Sequence, residues 1–214
     1  MLGKTHRITG MAVYTGLLVQ STSQVHTFNE SMFLTRVLDE AFTTPVLKFL
    51  RLTQLRDPTP TGAALAQYLL MTVLYGIVIY YALVLPDIDS KNSTLGRYVP
   101  FIEDTIGHRT LFHSIVPLLG LIAASIFTSG LIQVLLTLTT SAYAFHLIED
   151  AYSLQGINWF IFPIKTKWSK YRYRVDGGFE HIVFYIATII TFVNIASIAY
   201  ISGIAGKLPE LLNF

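Results

Sequence analysis

The chain has 214 residues, of which 52% are hydrophobic and only 13% charged, about half the ~25% charge of a soluble domain. Its mean hydropathy of +0.53 points to a membrane protein. The absence of cysteine excludes disulfides and thiolate metal sites, and the net charge of +2 offers no bulk electrostatic case for nucleic-acid binding.

The chain opens with Lys4, His6 and Arg7 ahead of the apolar stretch MAVYTGLLV. That stretch is shorter than the roughly 20 residues needed to span hydrocarbon, so a short helix packed inside a bundle is expected, with His6 just before it. Residues 31–56 mix Phe33, Leu34, Val37 and Phe42 with Arg36, Asp39, Glu40 and Lys48, the pattern of an amphipathic surface helix. Asp57–Gly62 reads as a turn. Long apolar spans are predicted at Gly62–Leu85, Leu111–Thr128, Leu131–Leu147 and His181–Ile204, with Ser129-Gly130 making the middle two a tight hairpin. The expected fold is an all-α, polytopic membrane bundle. It forms a single domain over 1–214, with about five membrane-embedded helices if the first also crosses.

The polar residues gather at 3–7, 86–110 and 149–181, which five passages would place on one side of the membrane. In HLIED, His146 and Asp150 stand at i and i+4, one helical face, where two side chains can grip one cation; a helix-terminal His bonded to an acid is the plain alternative. In LPDIDS, Asp87 and Asp89 follow the helix-stopping Pro86, although Asp is also ordinary in turns. In GHRTLFHS, His108 and His113 flank Arg109, whose planar guanidinium suits phosphate or carboxylate. GGFEH places Glu180 and His181 at the start of the last span. Five of the six histidines fall at helix ends facing the same side, which favours one metal centre over five separate explanations.

The ordered set TH..TG, LPDIDS...LG, GHRTLFHS, HLIEDAYSLQGINWFIFP and GGFEH, over residues 5 to about 181, resembles the YdjM-like family of small bacterial and archaeal membrane proteins, described as membrane-bound metal-dependent hydrolases. That family is distantly similar to zinc-dependent phospholipases C and single-strand nucleases. By this resemblance His146 and Asp150 are metal ligands, with Asp150 able to bridge two ions. His6 matches an N-terminal metal-binding His, Asp87 or Asp89 a single Asp, and His113, less closely His108, an intermediate His. Phe112 stands where a Thr is usual, and the additional His and H-x-x-x-E pair of three-zinc enzymes are missing. One or two divalent ions are therefore expected, zinc first and manganese second, held among His6, Asp87, Asp89, His108, His113, His146 and Asp150.

The resemblance implies hydrolysis, of a phosphoester most readily. Arg109 would hold a phosphate oxygen, and Glu149 or Glu180 would relay protons. The loop 149–180, with Trp159, Phe160, Phe162, Trp168, Tyr171 and Tyr173 among Lys and Arg, suits a membrane interface. It could recruit membrane lipid or another amphiphilic phosphoester, or simply be a basic interfacial loop. A metal-handling permease and a scaffold with a structural metal are the rival readings, and the near absence of ionisable residues in mid-span speaks against the permease. Lys4, Arg7, Lys91, Arg97, Arg109, Lys165, Lys167, Lys170, Arg172 and Arg174 would lie on the metal side, against Arg36, Lys48, Arg51, Arg56 and Lys207 opposite. Lys- and Arg-rich short loops stay inside, so the metal site is expected on the cytoplasmic side of the inner membrane.

Overall fold

A computed structural model describes residues 3–24, 62–154, 156–157, 159–164 and 173–201. The amphipathic helix predicted at 31–56, the turn before Gly62 and the Lys165–Arg172 part of the interfacial loop lie outside these residues. Six α-helices are described: α1 Gly3–Gln24, α2 Gly62–Ala82, α3 Phe101–Ile106, α4 Ile115–Ile126, α5 Gly130–Ala151 and α6 Gly178–Ile201. No strand occurs among the described residues, only isolated bridges such as Ser153 with Tyr173.

Three segments are long and apolar enough to cross a membrane: Thr72–Asp89, Gly130–Ala151 and Gly178–Ile198. The chain is an all-helical membrane protein. The span predicted at 111–128 contains only the 12-residue α4, about 18 Å of helix against ~30 Å of hydrocarbon. Its start is delayed because Leu111 O accepts both Ser114 N (3.1 Å) and Ser114 Oγ (2.6 Å), and Ser114 then caps the helix by accepting from Val116 N. The N-terminal helix is longer than its apolar stretch implied, at 22 residues, and His6 sits within its first turns. Its Thr hydroxyls bond back to carbonyls one turn earlier, Thr9 to Thr5 O at 2.7 Å and Thr15 to Met11 O at 2.8 Å, so polar side chains remain satisfied inside the bundle.

Helix α1 packs along α6, α4 pairs with α5 as the expected hairpin, and α2 lies against α5 and α1. One buried cluster joins Tyr14 and Leu18 of α1, Tyr75, Ile79 and Ala82 of α2, Val134, Leu138 and Ala142 of α5 and Ile198 of α6. A β-carbon at Gly10 would lie 2.3 Å from Leu83 Cδ1, so the Leu83 side chain fills the space that a larger residue on α1 would need. After α2 the chain tightens into i→i+3 bonds, Val84 N to Tyr81 O and Leu85 N to Ala82 O, both 3.1 Å. A 3₁₀ turn over Pro86–Asp89 follows, because Pro86 has no N–H to continue the α-helix.

Candidate metal centre

The polar end of the bundle is assembled from four segments far apart in sequence. Helix α1 brings His6, the Pro86–Asp89 turn brings Asp87 and Asp89, the loop before α4 brings His108, Arg109 and His113, and the last turns of α5 bring His146, Glu149 and Asp150. His6, His113, His146, Asp89 and Asp150 are at most 1% exposed. Burying that many ionisable groups is costly unless they satisfy one another or a cation.

Each of three imidazoles has one nitrogen engaged from behind. His146 Nδ1 donates to Leu83 O at 2.6 Å; a carbonyl can only accept, so this nitrogen carries the proton and Nε2 carries the lone pair. His6 Nδ1 meets Glu149 Oε2 at 2.6 Å, and His113 Nδ1 meets Asp89 Oδ2 at 3.2 Å. All three Nε2 atoms then turn toward the same carboxylates. His6 Nε2 is 3.4 Å from Asp150 Oδ1, and His113 Nε2 is 3.4 Å from both Asp87 Oδ1 and Asp150 Oδ2. His146 Nε2 lies 3.6 Å from Asp150 Oδ2 and 3.7 Å from Asp87 Oδ1. These separations are close to the ~3.4 Å edge of a tetrahedron built on metal–ligand bonds of about 2.1 Å. The buried Nε2 atoms of His113 and His146 make no hydrogen bond. The rings of His6 and His146 stack at 3.9 Å.

Three overlapping donor groups result: His6–His146–Asp150, Asp87–His113–His146 and Asp89–His108–His113. All seven residues singled out from the sequence as metal ligands are thereby brought together. A neutral imidazole offers one lone pair, so His113 cannot serve its two groups at once. With Nδ1 on Asp89 its Nε2 faces the buried pair of groups, and Asp89 takes the place of a carboxylate behind a ligating histidine. Asp89 also accepts from Arg109 N at 3.0 Å and contacts His108 Nδ1 at 2.8 Å. His108 is 38% exposed and forms the open side.

Carboxylates set the electrostatics of His113. Burial alone disfavours its charged form, but Asp150, Asp87 and Asp89 around it hold its pKa well above the ordinary imidazole value. A divalent cation in the same place would neutralise those carboxylates instead.

Arg109 adopts a left-handed conformation (φ 59°) and turns inward. Its Nη2 pairs with Asp150 Oδ2 at 3.1 Å and its Nη1 donates to Gly156 O at 3.0 Å, so the guanidinium expected on a phosphate rests on the Asp150 carboxylate. Glu149 and Asp150 belong to α5 rather than to the loop after it. Glu149 touches His6, whereas Glu180 accepts from Asp176 N at 2.8 Å at the start of α6. His181 is 47% exposed beside Asp176 and stands outside the donor groups.

Two supports escaped the reading of the sequence. Tyr143 donates to Phe112 O, pinning the loop that carries His113; its place three residues before His146, on one helix face, was the available signal. The other is Gly96 in the LPDIDS...LG segment, where a β-carbon would stand 2.0 Å from Ser90 O, so only glycine closes that turn.

The family model described as YdjM inner membrane protein matches residues 42–207, which cover α2 to α6 and every candidate ligand except His6. No curated protein matches the chain, and no solved structure does.

Proposed function

The chain belongs to the YdjM family of inner membrane proteins, and from that premise and its donor set we propose that it is a membrane-embedded, metal-dependent hydrolase acting on a phosphoester, with amphiphilic substrates such as phospholipid preferred. The observation that carries the reading is the convergence of three imidazole Nε2 atoms on Asp87 and Asp150, each imidazole oriented by an acceptor on its far nitrogen. His6 and Asp150 would hold one ion and Asp87 and His113 a second, with the single lone pair of His146 available to either. One or two divalent ions fit, zinc before manganese on an all-imidazole and carboxylate set.

Bound there, such ions would supply Lewis acidity and a lowered pKa for water. The chain's own groups do the rest. Glu149 fixes the ring of His6, Asp89 that of His113, and Leu83 O that of His146. Arg109 holds Asp150 and keeps its unpaired Nε, buried and without a hydrogen bond, beside the donor cluster. Glu149, partly exposed at 11%, is placed to carry a proton between the cluster and the surface, while Glu180 is the more remote candidate. The site faces the cytoplasm in this reading, supported by the excess of Lys and Arg on its side.

A structural metal is the second reading, favoured by the near-complete burial of His6, His113, His146 and Asp150, since structural sites are closed and catalytic ones keep a position open. Half-buried Asp87 and exposed His108 favour the catalytic one. The deciding experiment is metal analysis of detergent-purified protein, then a panel of soluble and lipid phosphoesters with metal restored. Metal-dependent cleavage abolished by Asp150→Asn supports the hydrolase. A fully loaded protein that cleaves nothing, yet loses its fold on chelation, supports the structural metal.

A further inference from the structure

Arg7 follows His6 on α1 but faces away from the donor cluster. Its Nε donates to Gly3 O at 3.2 Å and its Nη1 to the Tyr80 hydroxyl at 3.0 Å. The guanidinium carbon lies 4.8 Å from the centre of the Tyr80 ring. Two of its five N–H donors are thus engaged, and among the described residues no carboxylate pairs with it. With no carboxylate partner among the described residues, the guanidinium is left to pair with an anion from outside them. The bond to Gly3 O draws the side chain back toward the helix start, the direction in which arginine snorkels to the interface.

The surface beneath it is apolar and turned outward. On α2, Tyr80, Ile77 and Val73 are 39%, 50% and 59% exposed and lie at helical spacing. A planar cation therefore caps a greasy strip that runs down a membrane-spanning helix. The ligand matching both is an amphiphile with a negative head and an acyl tail. An anionic head brings the charge opposite to that of the guanidinium, which pairs with no carboxylate among the described residues.

We propose that the α1–α2 seam at Arg7 and Tyr80 binds the phosphate of an anionic phospholipid, whose acyl chain lies along Ile77 and Val73. The remaining guanidinium donors form a fork suited to two phosphate oxygens, and the ring of Tyr80 holds that fork flat. The site does not require that the protein hydrolyse anything: it is a lipid-binding site whether the neighbouring metal centre is catalytic or structural.

The test uses the full chain in uncharged detergent, with thermal unfolding followed as phosphatidylglycerol, phosphatidylcholine or inorganic phosphate is added. Phosphatidylglycerol should raise Tm, and the other two should not. Arg7→Gln should weaken the apparent affinity for phosphatidylglycerol about fivefold, the equivalent of the ~1 kcal/mol that one basic residue near the membrane surface contributes, with metal content unchanged. Tyr80→Phe, which keeps the ring and loses the bond to Nη1, should weaken it less and guards against a folding failure of the first variant. Undiminished phosphatidylglycerol affinity in Arg7→Gln, or in Tyr80→Phe should Arg7→Gln not fold, overturns the proposal. Equal stabilisation by phosphatidylcholine overturns it too, as does equal stabilisation by inorganic phosphate, which would make this a site for free phosphate.

Discussion

Replacing Asp89 by Asn separates a ligand from a support. Asp89 is fully buried and its Oδ2 serves both His113 Nδ1 and Arg109 N, while Oδ1 meets His108. Asparagine retains the shape but replaces one acceptor oxygen by a donor NH₂, so either His113 or His108 loses its acceptor. If Asp89 acts only behind His113, metal affinity should fall by the 10–100-fold typical of such partners, about 1.4–2.7 kcal/mol, and some metal should still bind. If it is a ligand, Asp89→Asn should behave like Asp150→Asn, whose carboxylate touches His6, His113 and His146. The assay is competition with a chromogenic chelator on detergent-purified protein, with Tm as a check on folding. Loss of metal as complete as in Asp150→Asn would refute the supporting role, and unchanged affinity would refute any role.

His146→Ala and Asp150→Ala should each remove most of the metal by elemental analysis, whereas His181→Ala should remove none. Arg109→Lys should lower kcat on any phosphoester substrate found, with metal retained, because an ammonium cannot reach Asp150 and Gly156 O together as the fork does; unchanged turnover would leave Arg109 without a role in the reaction. The raised pKa of His113 favours its protonated form in the metal-free protein. Its stabilising effect on that form is fully present below the ordinary imidazole pKa and is lost as pH rises through the raised one. Metal binding should therefore release about one proton at neutral pH, seen by calorimetry in buffers of different ionisation enthalpy, and affinity should fall as pH is lowered. In the naturally cysteine-free chain, Ser23→Cys should react with an impermeant maleimide in intact cells, and Ser93→Cys and Ser169→Cys only after permeabilisation. The reverse pattern would put the metal site outside.

The candidate ligands were legible because metal chemistry needs particular side chains, and in a chain this poor in charge each His and Asp at a helix end stands out. The i, i+4 spacing of His146 and Asp150 was enough to put them on one face, and their side chains do converge. What tied them in place was harder to read. Leu83 O on His146 is a backbone group without a sequence signature, and the inward turn of Arg109 follows from a left-handed backbone that most residues avoid. Helix ends were misjudged where hydropathy carried no signal: α1 runs on through polar residues at both ends of its apolar stretch, and Ser114 caps α4 late. The close approach at Gly10 also left no mark beyond a small residue in an apolar run.

The stack of His6 on His146 has a consequence for how the protein is made. His6 precedes every other candidate ligand in the chain, and its bond to Glu149 spans 143 positions. Helix α1 must therefore wait for α2, the α3 loop and the α4–α5 hairpin, and no earlier segment completes its donor group. An ion held by that group would be captured late in biogenesis, because a chain stopped before the last turns of α5 has no His6–His146–Asp150 group.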